Sequence, residues 1–163
     1  MVLKLHWVVK SFEQLSTREL YELLRLRNEV FIVEQNCVFP DLDGKDQQCH
    51  HLLGTESGNL MAYSRIVPPG LSYVYPSIGR ILTAPSGRGR KYGIELMERS
   101  IAILEERYGA TPIRIGAQLY LKKFYESFQF RQSGEVYDED GIDHLEMTRD
   151  TALGNNGKTG GNM

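Results

Sequence analysis

Cysteine is scarce, with two thiols, Cys37 and Cys49, in 163 residues. Two cysteines cannot build a disulfide scaffold. No Cys-x-x-Cys pair occurs, so the spacing of a structural zinc site is missing. Long apolar runs are also lacking. Nothing approaches the roughly 18 residues of a membrane-spanning helix. The opening MVLKLHWVVK lacks the apolar stretch and small-residue cleavage site of a secretory leader. Charge of one sign is not in excess either. A net charge of −2 provides no long-range attraction to nucleic acid or anionic membrane. The nucleophile elbow Gly-x-Ser-x-Gly is absent, which removes the main support for a serine hydrolase. These absences lead us to expect a cytoplasmic protein with no nucleic-acid or membrane partner.

What remains is a globular composition. Hydrophobic residues at 41% and charged residues at 25% sit near the average, enough to bury a core. The length suits one domain, placed at 1–150. The tail from 151 to 163 ends in GNNGKTGGNM, apolar only at its last residue, and is expected to be flexible.

Periodicity supplies the elements. Residues 2–10 alternate as a strand. Ser16-Thr17-Arg18-Glu19 is a capping box opening a helix that runs to about Gln35. The segment 36–49 is a loop rich in Asp and Gly. Strands follow at 50–56, 60–67 and 77–83, the first two joined at Ser57-Gly58-Asn59. A second long helix ends near Tyr108 with Gly109 as its stop. A strand at 112–117, a short helix over 119–128, and strands at 130–137 and 143–149 complete the order. This is an α/β arrangement: a mixed, largely antiparallel sheet of six to seven strands with helices on both faces.

The segment from Ala84 to Ile94 carries the strongest chemistry. A strand runs into a glycine-rich turn and then into a helix. Arg88, Arg90 and Lys91 crowd the helix start, and no acid follows until Glu95. A helix N-terminus carries about half a positive charge and favours acids there. Cations in that place make sense when an anion sits among them, held also by free amides. A solvated basic turn would explain the same residues. The nucleotide P-loop and the dinucleotide fingerprint both fail on spacing.

Arg88-Gly89-Arg90-Lys91-Tyr92-Gly93-Ile94 resembles the pyrophosphate loop of the GNAT superfamily of N-acetyltransferases, with Lys91 in place of the usual first glycine. Leu26 to Gln35, Asp41 to Asp46, Gly116-Ala117-Gln118, Phe124 to Phe128 and Glu135 to His144 resemble segments of its ElaA family. The resemblance spans about residues 5–149. It implies the GNAT acyl-CoA N-acyltransferase fold and direct acetyl transfer from acetyl-CoA to a primary amine, a small molecule or a peptide. It implies that Arg88, Gly89, Arg90, Lys91, Tyr92, Gly93 and Ile94 hold the diphosphate through their backbone. Ile81, Leu82 and Thr83 would face the pantetheine arm, with the amide of Leu82 or Thr83 toward the thioester oxygen. Gln118 would bond the cofactor arm, and Tyr125 would protonate the leaving thiolate. Glu34, His51 and His144 are the candidates for the acceptor pocket, and no metal is implied. A non-catalytic acyl-CoA-binding module on the same fold is the alternative; the chain would act as a monomer or homodimer.

Two further groupings attract notice. Asp41, Asp43 and Asp46 with Gly44 resemble a calcium loop, but Gly44 comes too early and position twelve is Leu52. A turn of self-bonding aspartates fits better. Cys37, Cys49, His50 and His51 lack zinc spacing. Gln129 stands where the family usually has glycine; in a left-handed conformation it would cost roughly 1 kcal/mol.

Overall fold

A computed structural model describes residues 4–151. The flexible tail expected from 151 onward, and the first two residues of the expected first strand, lie outside them apart from Thr151. The strands are β1 (His6–Ser11), β2 (His50–Glu56), β3 (Asn59–Val67), β4 (Ser77–Thr83), β5 (Ile113–Gln118), β6 (Phe130–Gln132), β7 (Tyr137–Glu139) and β8 (Ile142–Arg149). The helices are α1 (Thr17–Arg27), α2 (Tyr92–Tyr108) and α3 (Lys122–Glu126). Eight strands form two antiparallel sheets, in the orders β1-β2-β3-β4 and β5-β8-β6, with β7 also on β8. The expected count of six to seven falls short because the run 130–137 breaks after Gln132. There Gln132 Nε2 donates to the Gly134 carbonyl and closes a turn.

The capping box forms as read: Ser16 Oγ accepts from the Glu19 amide, and Glu19 returns a bond to the Ser16 amide. α1 continues without a stop into a π-helical stretch, Asn28–Glu34. On β3, Tyr63 lies under the Arg27 guanidinium of α1, while its neighbour Ser64 donates to Ser100 of α2. Adjacent strand residues point to opposite faces, so α1 and α2 cover opposite faces of the first sheet. The core between them is apolar: Leu23, Leu52, Ile66, Leu96, Met97 and Leu104 are each buried. Burial of such side chains contributes roughly 1.5–3 kcal/mol each.

The two sheets meet along β4 and β5, which run parallel across the α2 crossover. The Arg114 amide at the start of β5 donates to the Pro76 carbonyl just before β4. Beyond that point the strands are not paired, and they open into a V. A bulge helps to open it. Tyr63 pairs with Leu82 but Arg65 pairs with Gly79, so β4 carries one extra residue, at Arg80, whose φ is 48°. A bulge bends and twists its strand, turning β4 away from β5.

Candidate active site

The V opens into a cleft of about 880 Å³. Ile81, Leu82 and Thr83 of β4, Gln118 of β5, Tyr125 of α3, Gly93 of α2, Arg88, Glu34 and His144 all line it. Nine of the residues singled out from the sequence are thus brought to one cavity.

Strand geometry separates the two amides considered for the thioester oxygen. The Ala84 amide donates to Met61 on β3. In an antiparallel pair alternate residues turn their amides toward the partner. Leu82 therefore spends its amide on β3, and Thr83 and Ile81 present theirs to the cleft. Gly93 sits at the first turn of α2. A Cβ there would meet Phe124 at 3.7 Å and Thr83 at 3.9 Å, ordinary contacts, so a larger side chain would reach into the cleft.

Tyr125 is 5% exposed, its ring edge-on to Phe124 and Phe130. Its hydroxyl has no hydrogen-bond partner among the described residues, and it reaches the cleft rather than being sealed in protein. Burial raises its pKa, so the phenol keeps its proton. Gln118 donates through Nε2 to Gln35 at 3.2 Å. His144 donates from Nδ1 to the Ile142 carbonyl at 2.7 Å, and its Nε2 lies 3.4 Å from Glu139.

The basic turn departs from its sequence reading. The chain shows no nearby acid, but the fold supplies two. Arg88 pairs with Glu34 of the π-helical stretch at 2.7 Å, across the cleft. Arg90 pairs with Glu56 at the end of β2 at 2.7 Å and lies over the Tyr92 ring. Tyr92 is buried, and its hydroxyl donates to the same Glu56. Lys91 is exposed at φ 62°, the left-handed conformation that suits glycine. So the side chains of Arg90, Lys91, Tyr92 and Ile94, and Gly89 beside them, do not line the cleft. Only their main chain stands at the head of α2.

His51, expected beside Glu34 and His144, does not line the cleft either. It is fully buried, and both ring nitrogens are occupied. Nε2–H donates to the Asp46 carbonyl at 2.9 Å, which leaves Nδ1 to accept from the Tyr63 hydroxyl at 2.7 Å. Burial lowers its pKa despite the Asp46 carbonyl, so it stays neutral.

The aspartate loop holds what the sequence concealed. Arg27, Arg65 and Arg80, from α1, β3 and the β4 bulge, converge on Asp41, Asp43 and Asp46. Arg80 Nε stands 2.8 Å from Asp41 Oδ1, clamping the bulge. The self-bonding turn is present too, since Asp43 accepts from the Lys45 amide. Among the described residues no three His, Cys, Asp or Glu side chains are placed to hold a metal. No signal within one segment could reveal this network, because its three cations lie in three separate elements.

Comparison with known proteins now decides the family. The Acetyltransferase (GNAT) domain model matches residues 28–151. This chain belongs to the GNAT acetyltransferases. It is 38% identical over 148 residues to protein ElaA of Escherichia coli, covering 90% of this chain and 97% of ElaA. The crystal structure of that ElaA superposes with a TM-score of 0.84. An acyl-CoA N-acyltransferase from Pseudomonas aeruginosa superposes with a TM-score of 0.85 at 39% identity, over 89% of this chain and 99% of the other. Its GNAT acyltransferase fold is therefore shared along almost its whole length. The AHL synthase LasI shares the fold alone, at 15% identity and a TM-score of 0.71 over 88% of each chain. No helix among the described residues is long and apolar enough to cross a membrane.

Proposed function

We propose that this GNAT protein transfers an acetyl group from acetyl-CoA to a primary amine, without an acyl-enzyme. The observation that carries the reading is the unpartnered hydroxyl of Tyr125, which reaches the cleft from a ring that is otherwise buried. The diphosphate lies at the head of α2, against the free amides near Gly93, and takes Arg88 from Glu34. The Glu34–Arg88 pair is a fitting one to surrender: both side chains are part exposed, and such pairs contribute about 0–1 kcal/mol. The acyl arm runs along β4, where Ile81 and Thr83 offer amides. The Thr83 amide faces the thioester oxygen as it gains charge. Gln118 bonds the arm from β5.

Tyr125 protonates the departing sulfur. Its raised pKa is no obstacle, because the thiolate forms in the same apolar surroundings, where burial raises thiol pKa as well. A purely acyl-CoA-binding module would leave this hydroxyl without a task. Turnover is tested by acetyl-CoA-dependent thiol release over a library of primary amines. Tyr125→Phe keeps the ring and loses no protein hydrogen bond, so stability and acetyl-CoA affinity hold while turnover falls at least about tenfold. Wild-type turnover in that variant assigns the proton to water; absence of acetyl-CoA binding at millimolar concentration overturns the reading.

A further inference from the structure

The cleft has a second end, which the acyl arm does not use. In the burial pattern of β5 and β8 the core takes Ile113, Ile115, Ala117, Leu145 and Met147. Gly116, Gln118, His144 and Glu146 therefore share the other face. Above Gly116 two phenols converge. A Cβ on that glycine would lie 3.0 Å from the Tyr73 hydroxyl and 3.4 Å from the Tyr137 hydroxyl. Neither hydroxyl has a hydrogen-bond partner among the described residues, and both tyrosines line the cleft. Tyr137 stacks on His144 at 5.9 Å.

The chemistry of this corner is weighted toward carboxylates and aromatic rings. His144 donates its Nδ1 proton to the Ile142 carbonyl, and its Nε2 lies 3.4 Å from the Glu139 carboxylate. The Glu139 carboxylate places negative charge beside the outer nitrogen of the ring. The Tyr73 and Tyr137 oxygens and ring faces add further electron-rich surface. The groups around the imidazole are Tyr137 and Glu139 of β7, Glu146 of β8, Asp140 in the turn, and Tyr73 from the segment before β4. None is cationic. Burial raises Tyr73 to about 12, helped by Tyr137, Glu146 and Glu139 and opposed by Arg114. Burial, Glu139 and Glu146 also raise Tyr137. The arginines nearby on the first sheet, Arg65 and Arg80, are neutralised by Asp43, Asp46 and Asp41.

We infer that the corner formed by Tyr73, Tyr137, Glu139 and His144 is the acceptor subsite, and that it takes a cationic primary amine with no carboxylate beside the nitrogen. This rests on the acetyl-transfer reading above and names its acceptor class. The ammonium bridges Glu139 and His144 Nε2 with its N–H groups and lies against the tyrosine faces, a cation–π arrangement. One N–H proton passes to His144 Nε2, which frees the nitrogen lone pair. The N–C bond forms as the C–S bond breaks, the sulfur takes the Tyr125 proton, and Tyr125 recovers a proton from the new amide nitrogen. The proton on His144 leaves to solvent. An amino acid is disfavoured because its carboxylate would face Glu139 and Glu146.

The test uses the full chain loaded with acetyl-CoA or CoA, whose binding is first measured by calorimetry. Failure at that step strikes the donor reading, not the acceptor. On the CoA-loaded protein, 1,4-diaminobutane and benzylamine are titrated while the ring nitrogens of His144 are followed by NMR. We expect both amines, and not glycine or glutamate, to move the His144 Nε2 signal. With acetyl-CoA, Glu139→Gln raises KM for the diamine roughly tenfold or more. His144→Gln lowers kcat by a similar factor while acetyl-CoA affinity holds. Silence at His144 with every cationic amine at millimolar concentration overturns the proposal. So does preference for the amino acids, or kcat/KM within about twofold of wild type in both variants.

Discussion

Asp46 accepts two charge-assisted bonds on one oxygen, from Arg27 Nη1 at 2.7 Å and Arg65 Nη1 at 3.0 Å. Burial alone would raise its pKa, but the Arg27 hydrogen bond and the charges of Arg27 and Arg65 outweigh that and lower it. Asp43 is lowered in the same way, burial being outweighed by Arg65, the Lys45 amide and Arg80. Removing one partner of a buried pair leaves an uncompensated charge, which costs about 3–5 kcal/mol. Asp46→Ala should lose that much in urea unfolding. A carboxylate whose folded pKa lies below its unfolded value near 3.9 stabilises fully above that value, and the contribution fades as pH falls through the folded pKa. The wild-type network therefore holds from neutrality to about pH 4 and weakens below; Asp46→Asn should flatten that acid limb. The other pair to test is Glu34–Arg88. If the diphosphate takes Arg88 from Glu34, Glu34→Gln tightens acetyl-CoA binding a fewfold, whereas Arg88→Gln weakens it about tenfold. Calorimetry showing the same sign for both variants would rule out that competition.

Among the elements, those set by local periodicity were legible in the sequence. The capping box at Ser16, the strand at 50–56 and the stop at Gly109 depend on neighbours a few residues away, and they stand where the pattern puts them. The helical run to Gln35 was legible as one element, yet its second half is π-helical, a hydrogen-bond choice that the apolar spacing of Val30 and Phe31 does not encode. Anything set by partners across the fold was not legible. The acids that meet Arg88 and Arg90 come from elements 54 and 34 positions upstream, Glu34 and Glu56 respectively. His51 read as a pocket histidine because sequence gives its strand but not its two buried partners. The Gln129 reading was local and testable, and its φ of 71° is indeed left-handed. Its side chain is exposed at the end of the α3 segment. Gln129→Gly relieves roughly 1 kcal/mol of strain, offset in part by the freer unfolded chain. We expect Tm to rise by up to about 2–4 °C; a fall would mean that Gln129 makes a contact worth more than its strain.

For the whole molecule, the consequence is mechanical. Two sheets, each with its own antiparallel register, are joined beside the cleft by the Arg114–Pro76 backbone bond, and from there β4 and β5 diverge. The Arg80 bulge and its aspartate clamp hold β4 open on one side; the register of β5 on β8 fixes the other wall. The facing edges keep backbone groups unpaired, which a closed sheet would not tolerate. They persist because water, or an arm laid between them, can satisfy them. On the proposed placement, an acyl-CoA in the V would complete the sheet as well as occupy a pocket, and its binding would be coupled to stability. At a hundredfold excess over Kd the linkage amounts to about 2.7 kcal/mol, or a rise in Tm of roughly 5–10 °C for a chain of this size. Amide exchange should slow in a pattern that separates insertion from surface binding. The Ile81 and Thr83 amides, turned to the opening, gain protection, while that of Leu82, already engaged with β3, changes little. Uniform protection along β4, or none at Thr83 despite the rise in Tm, would place the arm elsewhere than between the strands.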